Sequence, residues 1–140
     1  MFERHYKPDS DFVLVRLLDV VDDAQLRQHV LDYNQEAPDR AGLLELADCR
    51  ELVDVQNLTV QGCLESARLE QGAQRVTGGM LAILVSNQLH YGMARAYAAI
   101  AEMHRNGAGV FYTLEEAVAW LGVKESLEEI ERFIAECAEA

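Results

Sequence analysis

The sequence predicts an open α/β sandwich: a mostly parallel sheet of four to five strands with an antiparallel hairpin at its N-terminal side, helices on both faces, and a further C-terminal helix. Three observations predict it. Short β-branched and apolar runs alternate with helical patterns along the chain. The connections are short, as in β-α-β units. The run "MLAILVS", Met80 to Ser86, is apolar at both parities, as expected of a central parallel strand covered from both sides.

The first strand of that core is "FVLVRLL", Phe12 to Leu18, apolar except for Arg16 and preceded by the turn formers Pro8, Asp9, Ser10 and Asp11. Upstream, "FERHYK" alternates as an antiparallel edge strand does. "DDAQLRQHVLDY" then places Leu26, Val30 and Tyr33 at helical spacing behind an Asp22–Gln25 capping box, in a helix that should end before Pro38. A second strand, "GLLELA", Gly42 to Ala47, runs into "DCREL" and a poorly patterned loop. Val60, Cys63, Leu64 and Ala67 mark the next helix, with Asn57 or Thr59 as its cap and Gly72 as its stop.

After the third strand comes the cleanest pattern of the chain, Leu89, Met93, Ala96, Ile100 and Met103, expected as one buried stripe closed by Asn106 and Gly107. A strand at Gly109 to Tyr112 leads into "TLEEAVAWLG", where Thr113 and Glu116 form a capping box and Gly122 the stop. The last helix is capped by Ser126 with Glu129 and striped by Leu127, Ile130, Ile134 and Cys137.

At 140 residues, half of them hydrophobic, the chain can bury one substantial core. No apolar run reaches the roughly 18 residues of a membrane span, and "MFERHYKPDSDF" lacks the make-up of a signal peptide, so a soluble cytoplasmic protein is expected. A formal charge of −12 repels phosphate backbones and anionic lipid surfaces, which argues against nucleic acid and membrane as partners. Cys49, Cys63 and Cys137 are scattered, without metal-ligand spacing, and read as reduced packing residues; no metal and no cofactor is expected.

"ADCREL", "LVSNQLHYGMARAY" and "VFYTLEEAVAWLG" together resemble the STAS-like proteins related to bacterial anti-sigma factor antagonists, and more narrowly a small bacterial branch grouped with the CRAL-TRIO lipid-binding fold. The likeness spans about residues 2 to 123, so residues 1–123 are expected to form the STAS-like domain and 124–140 a helical extension. The resemblance implies a non-catalytic module that docks on other proteins. Antagonists of that type carry an Asp-Ser-Ser-Gly turn with a phosphorylated serine. Here the matching stretch is "DVQNLTVQG", where Thr59 is the only hydroxyl, and Thr59 is read as a helix cap rather than a phosphorylation site.

In parallel sheets, ligands sit beyond the carboxyl ends of the strands. Ser86 and Asn87 lie at such an end, His90, Tyr91 and Arg95 in the first turns of the helix that follows, and Asp48 and Arg50 at the end of the second strand. One reading is a pocket for a small anionic or polar ligand, held by the Asn87 amides and Arg95 and walled by Tyr91. The plainer one makes Asn87 a cap, Tyr91 a rim residue and Arg95 the partner of a surface acid, with Gly92 letting the helix lie close to the sheet. His90 with Asp48 is the one acid/base pair the sequence offers, and no catalysis is expected from it.

The function expected is a regulatory or protein-interaction module, with a small-molecule or lipid carrier using the edge near Asn87 as the alternative. The stripe of the last helix makes a homodimer the expected assembly.

Overall fold

Strands whose side chains are buried on both faces need two layers of cover, and the described residues supply five helices to provide them. The computed structural model describes residues 1–36 and 38–140. In chain order the elements are β1 (Phe2–Tyr6), β2 (Phe12–Leu17), β3 (Asp19–Val20), α1 (Asp23–Glu36), β4 (Leu44–Asp48), β5 (Leu52–Asp54) and α2 (Val60–Leu69). A 3₁₀ turn at Gln74–Val76 follows, then β6 (Met80–Leu84), α3 (Gln88–Ala101), β7 (Gly107–Phe111), α4 (Leu114–Leu121) and α5 (Leu127–Glu139).

The main sheet has the order β1-β2-β4-β6-β7. β1 runs antiparallel to β2, with Phe2 opposite Leu17, and every other pair is parallel. Register lines up Val15, Ala47, Ile83 and Val110 on one face and Leu14, Leu46, Ala82 and Gly109 on the other. The first face packs against α1, α2 and α3, and the second against α4 and α5. The expected α/β architecture, hairpin and C-terminal helix are therefore all present.

Caps hold the helix starts as expected. Asp22 and Gln25 bond reciprocally at α1, Thr113 accepts from the Glu116 N–H at α4, and Ser126 with Glu129 forms a complete capping box at α5. Gly122 stops α4 in the left-handed region, at φ 71°.

Three expectations are corrected. The poorly patterned loop after β4 contains β5, which pairs with β3 in a two-stranded parallel ribbon. The stripe expected to bury α3 is out of phase: Leu89 is 62% and Met103 78% exposed, while His90, Ala94, Ala98 and Ala101 form the buried line. Small side chains let α3 lie close to the sheet, and the larger ones flank it. Gly92 has no part in that approach, being exposed with open space around it.

The apolar stripe of α5 is covered by the chain itself. Ile130 and Cys137 are buried in the cluster that includes Phe12, Leu14 and Leu46, and the Phe133 ring meets Phe12 edge-on at 6.0 Å. Among the described residues no helix is long and apolar enough to cross a membrane.

Candidate functional site

Because β2, β4, β6 and β7 are parallel, their carboxyl ends share one rim, and the residues singled out from the sequence lie along it. They do not converge on a point. Asp48 accepts from the Arg50 Nε and Nη2 at 2.9 and 2.8 Å and from the Arg50 backbone N–H at 3.0 Å, a closed local pair. Arg95 reaches two turns along its own helix to Glu102, at 3.6 Å. Tyr91 stacks on Tyr112 with ring centres 5.3 Å apart, and Ser86 is exposed.

Asn87 caps α3, its Oδ1 accepting from the His90 N–H at 2.9 Å. Parity separates His90 from Asp48. Ala47 and Cys49 face the α1–α3 layer, so Asp48 between them falls on the α4–α5 side with Leu46, whereas His90 is buried on the α1–α3 side.

On that side a cavity of about 80 Å³ lies between the sheet and helices α1, α2 and α3. Val15, Ala47 and Ile83 form its floor, Leu26, Cys63 and Ala94 its roof, and Leu52, Val55 and Leu58 its closure toward the rim. Its polar lining comes from His29, Glu45, His90 and Tyr97.

Burial, with Arg4 and Arg75 nearby, pushes the His29 imidazole down to about 3, so it is neutral at physiological pH. Burial likewise lowers His90. It raises the Cys49 thiol to about 12 and the Cys63 thiol to about 11, which keeps both as inert packing groups.

The sequence reading missed a buried charge cluster below this cavity. Glu70 accepts from Arg75 and Arg105, both at 2.8 Å, and lies 3.3 Å from the His104 Nε2. Glu45 lies 3.4 Å from Arg105 and 3.7 Å from Arg75, whose guanidinium also sits 3.8 Å over the Tyr33 ring and donates to Asn34. Burial alone would raise the Glu70 carboxyl; Arg105, His104 and Arg75 hold it well below the ordinary carboxylate range. Two carboxylates against two guanidiniums balance in charge, and the cluster ties α1, α2, β4 and the end of α3 together. Glu45, a charge between Leu44 and Leu46 inside the strand, was the available signal.

No protein-family model matches the chain, and no curated protein matches it. Among solved structures it is similar to an uncharacterised protein from the DUF3478 family with a SpoIIAA-like fold, from Shewanella loihica PV-4. The match has a TM-score of 0.50 at 16% identity and covers 86% of this chain and 92% of that one. The chain has a SpoIIAA-like fold. The STAS-like part of the resemblance is thus shown at the level of architecture, and the CRAL-TRIO grouping draws no support from it.

Within the SpoIIAA-like fold, Thr59 stands at the start of α2. Its hydroxyl donates to Asp23 Oδ2 at 2.7 Å and accepts from the Gly62 N–H at 2.9 Å, while its own N–H donates to Asp23 Oδ1 at 2.8 Å. That hydroxyl is committed in both directions and faces a carboxylate, a setting that opposes an added phosphate by like-charge repulsion. Among the described residues no group of three His, Cys, Asp or Glu side chains could hold a metal ion.

Proposed function

We propose that this protein is a non-catalytic binding module that holds a small, mostly apolar molecule between its sheet and its α1–α3 layer. The observation that carries the reading is the cavity of about 80 Å³, walled by apolar side chains from both layers and given only a few polar groups, the composition of a small-ligand site. The absence of catalysis is supported by the separation of His90 from Asp48 on opposite faces of β4 and by the inert state of Cys49 and Cys63. A small anion at the Asn87 edge is less well supported, because Arg50 and Arg95 already have acidic partners.

Native mass spectrometry of protein freshly purified from its own host tests the reading. A bound small molecule is expected, and Ala94→Met, which fills the roof, should abolish it. Protein that arrives empty and gives no heat of binding with small apolar probes would remove the proposal.

A second reading is docking on another protein at the rim. It is supported by four exposed apolar side chains there: Val20 and Val53 on the β3–β5 ribbon, Leu89 at the start of α3 and Tyr112 after β7. Light scattering at micromolar concentration separates self-association from a foreign partner: a dimer abolished by Leu89→Glu places the rim between two copies. With the stripe of α5 covered by its own sheet, support for a homodimer comes from this rim instead.

A further inference from the structure

The tautomers of the two cavity histidines can be read from their neighbours. His29 Nδ1 lies 3.0 Å from an Arg4 guanidinium nitrogen, which can only donate. Nδ1 therefore accepts, and the single proton of the neutral ring sits on Nε2. At His90 the Asn87 side chain settles the question. Its oxygen is fixed by the His90 backbone N–H, so its nitrogen is the group that donates to His90 Nδ1 at 3.2 Å, and the proton again sits on Nε2.

Both rings line the same cavity, both residues are less than one tenth exposed, and neither Nε2 has a hydrogen-bond partner among the described residues. In each ring the bonded nitrogen faces a group outside the cavity, Arg4 in one case and the α3 cap in the other. Among the described residues the fully enclosed side-chain atoms without a partner are Tyr33 Oη, Arg105 Nε and Glu125 Oε2, so each histidine Nε2 keeps some open surface, and an acceptor in the cavity that both rings line would pair with it.

We propose that the two Nε2–H groups read the ligand, and that the ligand is a small uncharged molecule with an apolar body and a carbonyl-type oxygen. The inference rests on the reading of this cavity as a ligand site. Size follows from volume: one water needs about 10–15 Å³, so the cavity takes roughly half a dozen non-hydrogen atoms. Charge is excluded in both signs. An anion would meet the Glu45 carboxylate and two neutral imidazoles, and the cations near His29, Arg4, Arg75 and Arg105, are already held by Glu36 and Glu70. A cation would find Glu45 already held by Arg75 and Arg105.

The test compares cyclopentanone with methylenecyclopentane, which has the same shape and no acceptor, by NMR titration of the full chain with the histidine ring nitrogens labelled. Cyclopentanone is expected to move the Nε2 resonances of His29 and His90, and methylenecyclopentane to leave them in place. His90→Leu should weaken cyclopentanone by about tenfold, the usual effect of leaving a buried polar group unpaired, and leave methylenecyclopentane within about twofold. If both probes bind without moving either Nε2 resonance, the ligand-site reading stands and the histidine inference fails. If neither probe binds at millimolar concentration, both fall together.

Discussion

Glu70, 1% exposed, is held by two guanidiniums on side chains that are themselves buried. Removing its charge leaves Arg75 and Arg105 with Glu45 alone, so Glu70→Gln is expected to lower unfolding free energy by about 3–5 kcal/mol in urea titration. A change below about 1 kcal/mol would show that the cluster is not closed in solution. His29 makes a prediction of opposite chemistry. Its folded value, near 3, lies below the ordinary 6.5, so between those pH values the unfolded chain binds a proton that the folded one refuses. Its contribution to stability is intact above pH 6.5 and declines as pH falls toward 3, with His90 adding a decline of the same sign. Urea midpoints from pH 7.5 to 5.5 should drop in the wild type and drop less in His29→Gln; equal slopes would clear His29 of the effect. None of this was legible in the residues taken singly. Glu45 and Arg16 stand out as charges inside apolar strands, but which cation meets which carboxylate is decided by the packing of segments far apart in sequence.

The helices show which local signals survive folding. Asp22, Thr59, Asn87, Thr113 and Ser126 were all readable as caps, because a cap depends only on a side chain and an amide two or three residues on. The stripe of α3 was not, because Leu89, Met93, Ile100 and Met103 are large and, with Ala96, regularly spaced, while the buried line runs through His90, Ala94, Ala98 and Ala101. Close approach to a sheet selects small residues, and a reading by hydrophobicity favours the wrong phase. At α2 the cap is part of a tertiary joint. Thr59 and Asp23 bind each other across the α1–α2 contact, and a Cβ added at Gly62 would lie 2.1 Å from Asp23 Oδ1. Thr59→Ala should cost about 1 kcal/mol, as for other lost caps. Gly62→Ala should cost more, because it expels Asp23 and breaks both of its bonds to Thr59. Calorimetry that ranks the two variants the other way round would mean that Asp23 can move aside freely.

At the scale of the whole molecule, the hairpin, the mostly parallel sheet and the rim at the carboxyl ends of its strands were legible, because β-α-β alternation dictates parallel strands with a shared carboxyl edge. The cavity was not, since it is the volume left between two layers whose spacing is set by their side chains together. The boundary drawn at residue 123 has to be judged at this scale as well. The α4–α5 face of the sheet carries Phe12, Leu14 and Leu46, and α5 covers it with Ile130, Phe133, Ile134 and Cys137. Each large side chain so buried is worth about 1.5–3 kcal/mol, and a whole domain is stable by only about 5–15 kcal/mol. Deleting residues 124–140 is therefore expected to leave a chain that self-associates through the bared face, binds a hydrophobic dye and melts without a cooperative transition. Circular dichroism and light scattering of the 1–123 chain decide the matter. A monomer that unfolds in one transition at the full-length midpoint would make the last helix an appendage, and α4 alone would then have to shield that face.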